Sequence, residues 1–234
     1  MRILLTVICL VFGLAAPSYA ASDVIGHATA TVVEMRNDQS FGDSLDLLRR
    51  CKAVMIVPQL VKGGFIFGAE GGKGVLLARG PNGQWSDPAF FGIGSGSFGL
   101  QIGLEEAELV MFIMSDRALH AILHNSVKLG VGAGLTVVVV GTSAEADATT
   151  NARVDVIAWA KAKGAYAGIT LNGSVIKPLK GDNDRYYGHV ISTADIIHSF
   201  GHAPGAGDLR AALRIDSAYA AGRSEVHSGG TAPR

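Results

Sequence analysis

Residues 51–104 read CKAVMIVPQLVKGGFIFGAEGGKGVLLARGPNGQWSDPAFFGIGSGSFGLQIGL. Short apolar runs alternate with glycines, and few groups able to move a proton interrupt them. Glycine inside a strand marks a bulge, a bend or a close approach by backbone or ligand. The stretch therefore predicts closely packed, strongly curved strands and a surface that binds rather than reacts. Residues 53–57 read as a β-run ended by Pro58. Residues 64–69 and 74–78 read as two strands around a turn at Glu70-Gly71-Gly72. Pro81-Asn82-Gly83 is a second turn, and Pro88 blocks continuous pairing. From Gly94 to Leu104, the bulky Phe98, Leu100, Ile102 and Leu104 alternate with Gly99, Gln101 and Gly103. That pattern predicts one strand with a bulky face and a mainly glycine face, the second approached closely by backbone or ligand.

Upstream, Val24, Ala28, Val32 and Met35 recur at helical spacing, and a second helix fits residues 41–51 with Leu45, Leu48 and Cys51 inward. Asp43 suits its first turn and Arg49-Arg50 its last. Downstream, residues 108–114 read as a strand and 116–126 as a helix. Residues 134–141, containing TVVVV, read as a buried strand, and 142–151 as a loop. Residues 154–160 and 165–171 read as strands joined by a turn near Lys163-Gly164. Asn172-Gly173 is a turn pair, residues 182–187 a short helical turn, and 208–219 a weak helix. Many strands with short turns, and helices gathered first and in the middle, predict an α+β domain. Its sheet is mainly antiparallel, curved or barrel-like, and packed with helices.

The first twenty residues have the form of a signal peptide: Arg2, the apolar core ILLTVICLVFGLAA, then Ser18-Tyr19-Ala20 with small residues before the expected cut. Cleavage after Ala20 would remove Cys9 and leave Cys51 as the one cysteine, so no intramolecular disulfide forms. The expectation is an exported protein, periplasmic or extracellular, at most peripheral to a membrane. The chain has 20 basic and 20 acidic side chains, and loss of Arg2 leaves it slightly acidic. A broad nucleic-acid surface, which needs a basic excess, is not expected.

Local motifs give little chemistry. Gly94-Ser95-Gly96-Ser97-Phe98-Gly99 matches a dinucleotide fingerprint formally, but strand-like alternation follows it where a helix is required. Lys73, in Gly72-Lys73-Gly74, lacks the following hydroxyl of a nucleotide phosphate loop. His120 and His124 share a helix face without a third ligand, and His198 and His202 repeat the spacing beside Gly201, so no metal site is assigned. Cys51 has cationic neighbours that would lower a thiol pKa, yet it ends an apolar helix face and reads as structural. Glu105, Glu106 and Glu108 read as an acidic surface. Trp85, Phe90 and Phe91 read as core packing. No catalytic residue and no cofactor is assigned, and the protein is not expected to be an enzyme.

Taken in order, Cys51-Lys52-Ala53 leading to Val57-Pro58, then Lys62-Gly63-Gly64-Phe65, Gly72-Lys73-Gly74-Val75-Leu76 with Arg79, and Trp85-Ser86-Asp87-Pro88 form a combined pattern. Gly99-Leu100-Gln101-Ile102-Gly103, Lys163 to Gly168 and Asn183 to Gly188 continue it. This pattern resembles the SYLF domain, a lipid-binding family also described as actin-binding in some eukaryotic members. The resemblance covers roughly residues 23–192, within a domain expected to span 21–192 after the signal peptide, and leaves 193–234 as a C-terminal extension with a flexible tail. One departure is Gly141 to Glu145, where the family has a Gly-Pro-rich stretch. The resemblance implies noncatalytic recognition of anionic phospholipid headgroups at a membrane surface. Actin is not the expected partner in an exported compartment. A peripheral protein needs a local basic patch rather than high total charge. Lys52, Lys62, Lys73 and Arg79 cluster in sequence, and Lys128 could join them. Arg79 could bridge two phosphate oxygens while the lysines act as point charges. The alternative is an envelope or extracellular protein-interaction module without lipid binding.

Overall fold

The computed structural model describes residues 21–38, 41, 44–64, 67–98, 103–130, 134–140, 154–163 and 171–215. The predicted signal peptide, the 142–151 loop, all but the last residue of the predicted 165–171 strand, and the C-terminal tail lie outside the described residues. Two helices come first, α1 (Ala21–Asn37) and α2 (Ser44–Arg50). Four long strands follow: β1 (Ala53–Gly64), β2 (Phe67–Ala78), β3 (Ala89–Phe98) and β4 (Gly103–Ile113). Then come α3 (Asp116–His124), β5 (Val127–Lys128), β6 (Val137–Val140), β7 (Val156–Lys163) and β8 (Val175–Pro178). The described chain closes with α4 (Lys180–Tyr187), α5 (Thr193–Ile197) and α6 (Gly207–Ala212). No described helix is long and apolar enough to cross a membrane.

All eight strands form one curled, half-barrel sheet in the order β5-β8-β3-β2-β1-β4-β7-β6. Every named pair is antiparallel except β6 with β7. The predicted α+β class with a curved, mainly antiparallel sheet is what the chain adopts. Successive side chains of a strand point to opposite faces, so the long strands feed two cores. One core draws Met55, Leu76, Phe91, Leu109, Val127, Ala158 and Ile176 from seven strands, with Val137 and Val139 of β6 packed against it. Side chains from both edge strands meet there, which places this core on the concave side of the curl. Ile122 and Leu123 of α3 and Ile196 and Ile197 of α5 cap it. The outer core joins Val54, Ile56, Val75, Leu77, Phe90, Phe112 and Trp159 to α1, α2 and α6. Val24, Ala28, Val32 and Met35 are buried there as their spacing predicts.

Several local readings are corrected. Pro58 does not end β1; the strand continues to Gly64 through a bulge, with register shifts toward both neighbours between Ile56 and Leu60. Lacking an N–H, proline is tolerated where a bulge already breaks the ladder. Glu70-Gly71-Gly72 is not a turn but the middle of β2, whose register with β3 is unbroken from Phe67 to Leu76. Beside the bulge, Gly74 and Gly72 are required: a Cβ would lie 2.2 Å from Ile56 O at the first and 2.6 Å from Gln59 O at the second. The 94–104 run is not one strand; it ends β3 and begins β4. The TVVVV segment is an edge strand, half-buried at Val137–Val139, rather than a buried one. Strand β8 and helix α5 carry no clear local signal and were not expected. Residues 193–215 pack into both cores through Ile196, Ile197, Leu209 and Leu213.

The two borders of the sheet also touch. Leu129, just after β5, bridges Leu135, just before β6, with Leu135 N donating to Lys128 O at 3.1 Å and Gly130 N to Leu135 O at 2.9 Å. Gly134 permits this approach, because a Cβ there would sit 1.9 Å from Lys128 O.

Candidate functional site

Cationic side chains gather where α2 meets β1. Arg49 and Arg50 form the last turn of α2, where positive charge complements the helix dipole. Cys51 turns the chain inward and is 2 % exposed, its Sγ 3.6 Å from Leu48 O. Lys52 then faces solvent, and β1 starts at Ala53. Strand β2 ends beside this point: Ala53 pairs with Ala78, and Arg79 N donates to Lys52 O at 2.8 Å. The Arg79 guanidinium reaches back over Cys51 and donates through Nη1 to Arg49 O, capping α2. Its Nε is buried and has no hydrogen-bond partner among the described residues. Burial pushes the Cys51 thiol up to about 12, against the opposing pull of the Arg79 charge. The thiol is therefore a packing group, as its place on the apolar helix face suggests.

Two carboxylates moderate this basic end. Lys52 Nζ lies 3.0 Å from Asp116 Oδ2, with side chains 45 % and 80 % exposed, and Arg50 lies 3.2 Å from Asp46. Exposed pairs of this kind contribute under about 1 kcal/mol each and exchange readily for other ions. Among the described residues no carboxylate pairs with Arg49 or Arg79.

The remaining predicted residues lie elsewhere. Lys62 is ten residues along β1 from Lys52, roughly 33 Å at strand rise. Its register partners are Glu70 on β2 and Glu105 on β4. Alternation places Lys62 on the concave face and Lys73 on the outer face. Lys73 is ion-paired to Asp182 of α4 at 2.9 Å. Lys128 is exposed on the edge strand β5, opposite Val175 of β8. The structure thus brings Lys52 and Arg79 together and separates Lys62, Lys73 and Lys128 from them; the five do not form one patch. Arg49 and Arg50 complete the basic end instead. Their signal was the run Arg49-Arg50-Cys51-Lys52, in which a single inward residue leaves three outward cations.

The other motifs resolve into architecture. Gly94, Ser95 and Gly96 sit inside β3, with no helix following as a dinucleotide site needs. His120 and His124 stack with ring centroids 4.3 Å apart, and no group of three metal-ligating side chains occurs among the described residues. Trp85, Phe90 and Phe91 are buried in the cores. Three buried polar residues organise the chain. Asp87, fully buried, accepts from Gly201 N at 3.1 Å and His202 N at 3.0 Å and pairs with Arg210. Asn183 Oδ1 accepts from Phe90 N at 2.7 Å, fixing α4 against β3. Asp155 accepts from Ser115 Oγ at 2.7 Å and from Thr136 N and Oγ1 at 3.1 and 3.0 Å, and pairs with Arg117. Each of the three ties separate segments of the chain together.

Comparison with known proteins gives a consistent pattern. The family model Ysc84, described as "Las17-binding protein actin regulator", matches residues 94–215, more than half of the chain. SH3 domain-containing YSC84-like protein 1 of Rattus norvegicus is 35% identical over 152 residues, which cover 64% of this chain and 44% of the relative. The Homo sapiens protein of the same name is 33% identical over 160 residues, covering 68% and 46%. Protein YSC84 of Saccharomyces cerevisiae is 30% identical over 165 residues, covering 69% and 35%. The chain thus spans less than half the length of these relatives.

Proposed function

Because the chain belongs to the Ysc84, or SYLF, family, we propose that it is a noncatalytic binding domain whose basic end engages anionic phospholipid headgroups. The observation that carries this reading is the convergence of Arg49, Arg50, Lys52 and Arg79 at the α2–β1 junction. Near an anionic surface each cation is worth about 1 kcal/mol, so four give an affinity that anionic lipid density and salt can tune. Arg79 supplies directional donors to phosphate oxygens, while Lys52 acts as a mobile point charge. Asp116 and Asp46 are the counter-ions that a headgroup displaces.

The test is co-sedimentation of residues 21–234 with neutral phosphatidylcholine vesicles and with vesicles containing phosphatidylserine, across a salt series. Binding selective for the anionic vesicles, falling as salt rises and lost in Arg50→Glu/Lys52→Glu, is the expected result. Absence of binding to either vesicle would end the lipid reading.

A second reading, a protein-interaction module, is favoured by the family description and by a yeast relative named LAS seventeen-binding protein 3. In the exported compartment that residues 1–20 imply, the partner is an envelope or extracellular protein rather than actin. N-terminal sequencing of the mature protein, expected to begin at Ala21, tests the export reading.

A further inference from the structure

Five of the chain's seven histidines gather at one end of the molecule, on segments far apart in sequence. It is the end where β1 and β3 start and β2 and β4 finish, and it is also the basic end. His198 is the C-cap of α5, and the next carbonyl, Ser199 O, accepts from Asp87 N at 2.8 Å. Phe200 then packs on Gly80, the neighbour of Arg79; a Cβ on Gly80 would lie 2.9 Å from Phe200 Cε1. His202 follows, its N–H donating to Asp87 Oδ2 at 3.0 Å and its side chain 80% exposed. His120 and His124 stand on α3, whose first residue, Asp116, lies 3.0 Å from Lys52. They are one and two helical turns from that ion pair, about 6 and 12 Å along the axis. His189 comes two residues after Tyr187, whose hydroxyl donates to Pro88 O at 2.9 Å, just before β3. All five histidines are exposed.

The charges around these rings are mostly committed to other partners. On α3 they are Asp116, paired with Lys52, and Arg117, paired with Asp155. Helix α3 also packs on β8, whose Lys177 points to the outer face by alternation from Ile176. On α5, Asp195 accepts from Ser192 Oγ at 2.6 Å, and β3 beneath α5 has no ionisable side chain. Beside His202, Asp87 is fully buried and paired with Arg210, while Asp208 stands exposed at the start of α6. Beside His189, Asp184 accepts from Ile191 N at 3.0 Å, and Arg185 pairs with Asp182. Among the described residues, Asp87 is the one acid within ion-pairing distance of any of the five imidazoles, 3.9 Å from His202. A positive charge gained by these rings is therefore presented to the surface rather than consumed inside the fold.

Resting on the lipid reading, we propose that this ring of histidines makes the basic end an acid-strengthened anchor, whose grip on anionic headgroups tightens as pH falls. Imidazole is the side chain that ordinarily changes charge between pH 5 and 8. The cationic form is the one that an anionic surface attracts, so the added affinity is present at acid pH and is lost as pH rises. Each added cation is worth roughly fivefold in affinity at such a surface. Two like charges on rings 4.3 Å apart repel, so the stacked His120–His124 pair counts as about one. His198 and His202, on either side of the Phe200 contact with Gly80, stand beside Arg79 and contribute most.

The test is co-sedimentation of residues 21–234 at pH 7.5 and pH 5.5, at one ionic strength, with phosphatidylglycerol-containing vesicles and with phosphatidylcholine vesicles. The phosphatidylglycerol phosphodiester stays ionised across that range. The expected result is an affinity for the anionic vesicles at least about tenfold higher at pH 5.5. His198→Gln/His202→Gln should remove roughly fivefold of that rise, and His120→Gln/His124→Gln about two- to fivefold, both with binding at pH 7.5 unchanged. Equal affinity at the two pH values, or the full rise kept in both double variants, would overturn the proposal and leave the lipid reading standing. So would losses of equal size at both pH values, which would make the histidines positioning groups rather than charges. A rise of the same size on phosphatidylcholine vesicles would overturn it as well, because charge would not be the cause. Binding to anionic vesicles at neither pH would remove the lipid reading itself, and this inference with it.

Discussion

Single side chains divide sharply between those the fold demands and those it leaves free. Gly74→Ala forces a Cβ to 2.2 Å from the Ile56 carbonyl, and backbone cannot yield as a flexible side chain would. The expected destabilisation is about 1–3 kcal/mol, read by urea denaturation, whereas Gly71→Ala should leave stability unchanged or raise it by up to about 1 kcal/mol. Equal costs at the two positions would mean that the bulge is not what demands glycine. Cys51 makes a second residue-scale prediction. With its thiol buried and pushed up to about 12, iodoacetamide at pH 8 should leave it unmodified in the native protein and alkylate it after denaturation. At the basic end, Asp116→Asn removes the counter-ion 3.0 Å from Lys52. Under the lipid reading it should raise affinity for anionic vesicles about two- to fivefold at low salt. A fall in affinity would show that Asp116 positions Lys52 rather than competing for it.

Among elements, Asp155 is a junction of several segments. It lies just before β7 and joins Ser115, the N-cap of α3, to Thr136 before β6, with Arg117 alongside. Burial pushes this carboxyl up, but the hydrogen bonds from Ser115 and Thr136 and the Arg117 charge outweigh it and hold it below its ordinary value. A lowered folded-state value means the stabilisation is complete above the unfolded value near 3.9 and is lost as pH falls through the folded one. Asp155→Asn should therefore flatten the acid limb of the stability profile, and it should cost about 1–3 kcal/mol at neutral pH, measured by thermal melts between pH 2 and 7. Elements also show what the sequence made legible. The helical spacing of Val24, Ala28, Val32 and Met35 was sufficient for α1, because periodicity is a local property. The middle of β2 was misread as a turn, because Glu70-Gly71-Gly72 is held extended by β1 and β3, strands that local sequence does not reveal. Pro58 was misread for the same reason: its bulge exists only against β2 and β4. The cationic site was half legible. Lys52 and Arg79 meet through strand register, while the same register carries Lys62 and Lys73 to opposite faces.

At the scale of the whole molecule, the two ends of the described chain hold each other down. Arg36 of α1 donates to Ala212 O and, at 3.1 Å, to Arg214 O, while Trp85 Nε1 donates to Leu213 O at 3.0 Å. Asp87 fixes the intervening 199–210 segment from below, its own N–H donating to Ser199 O at 2.8 Å. Removing residues from 207 onward would strip Leu209 and Leu213 from the outer core and uncover Trp85, which is 4% exposed. The expected outcome is a red shift of tryptophan emission and a lower, broader melt. An unchanged melt would make α6 an ornament of the surface. The contact between Leu129 and Leu135 has a different reach. The outermost strands of the sheet are consecutive in the chain, so the ribbon is sewn together along its selvedge by only a few residues. At that end the two outer strands are tied to each other. A pull on the fabric, or water working inward, must first cut the stitch, and amides beside Leu129 and Leu135 should exchange as slowly as those in the middle of the cloth.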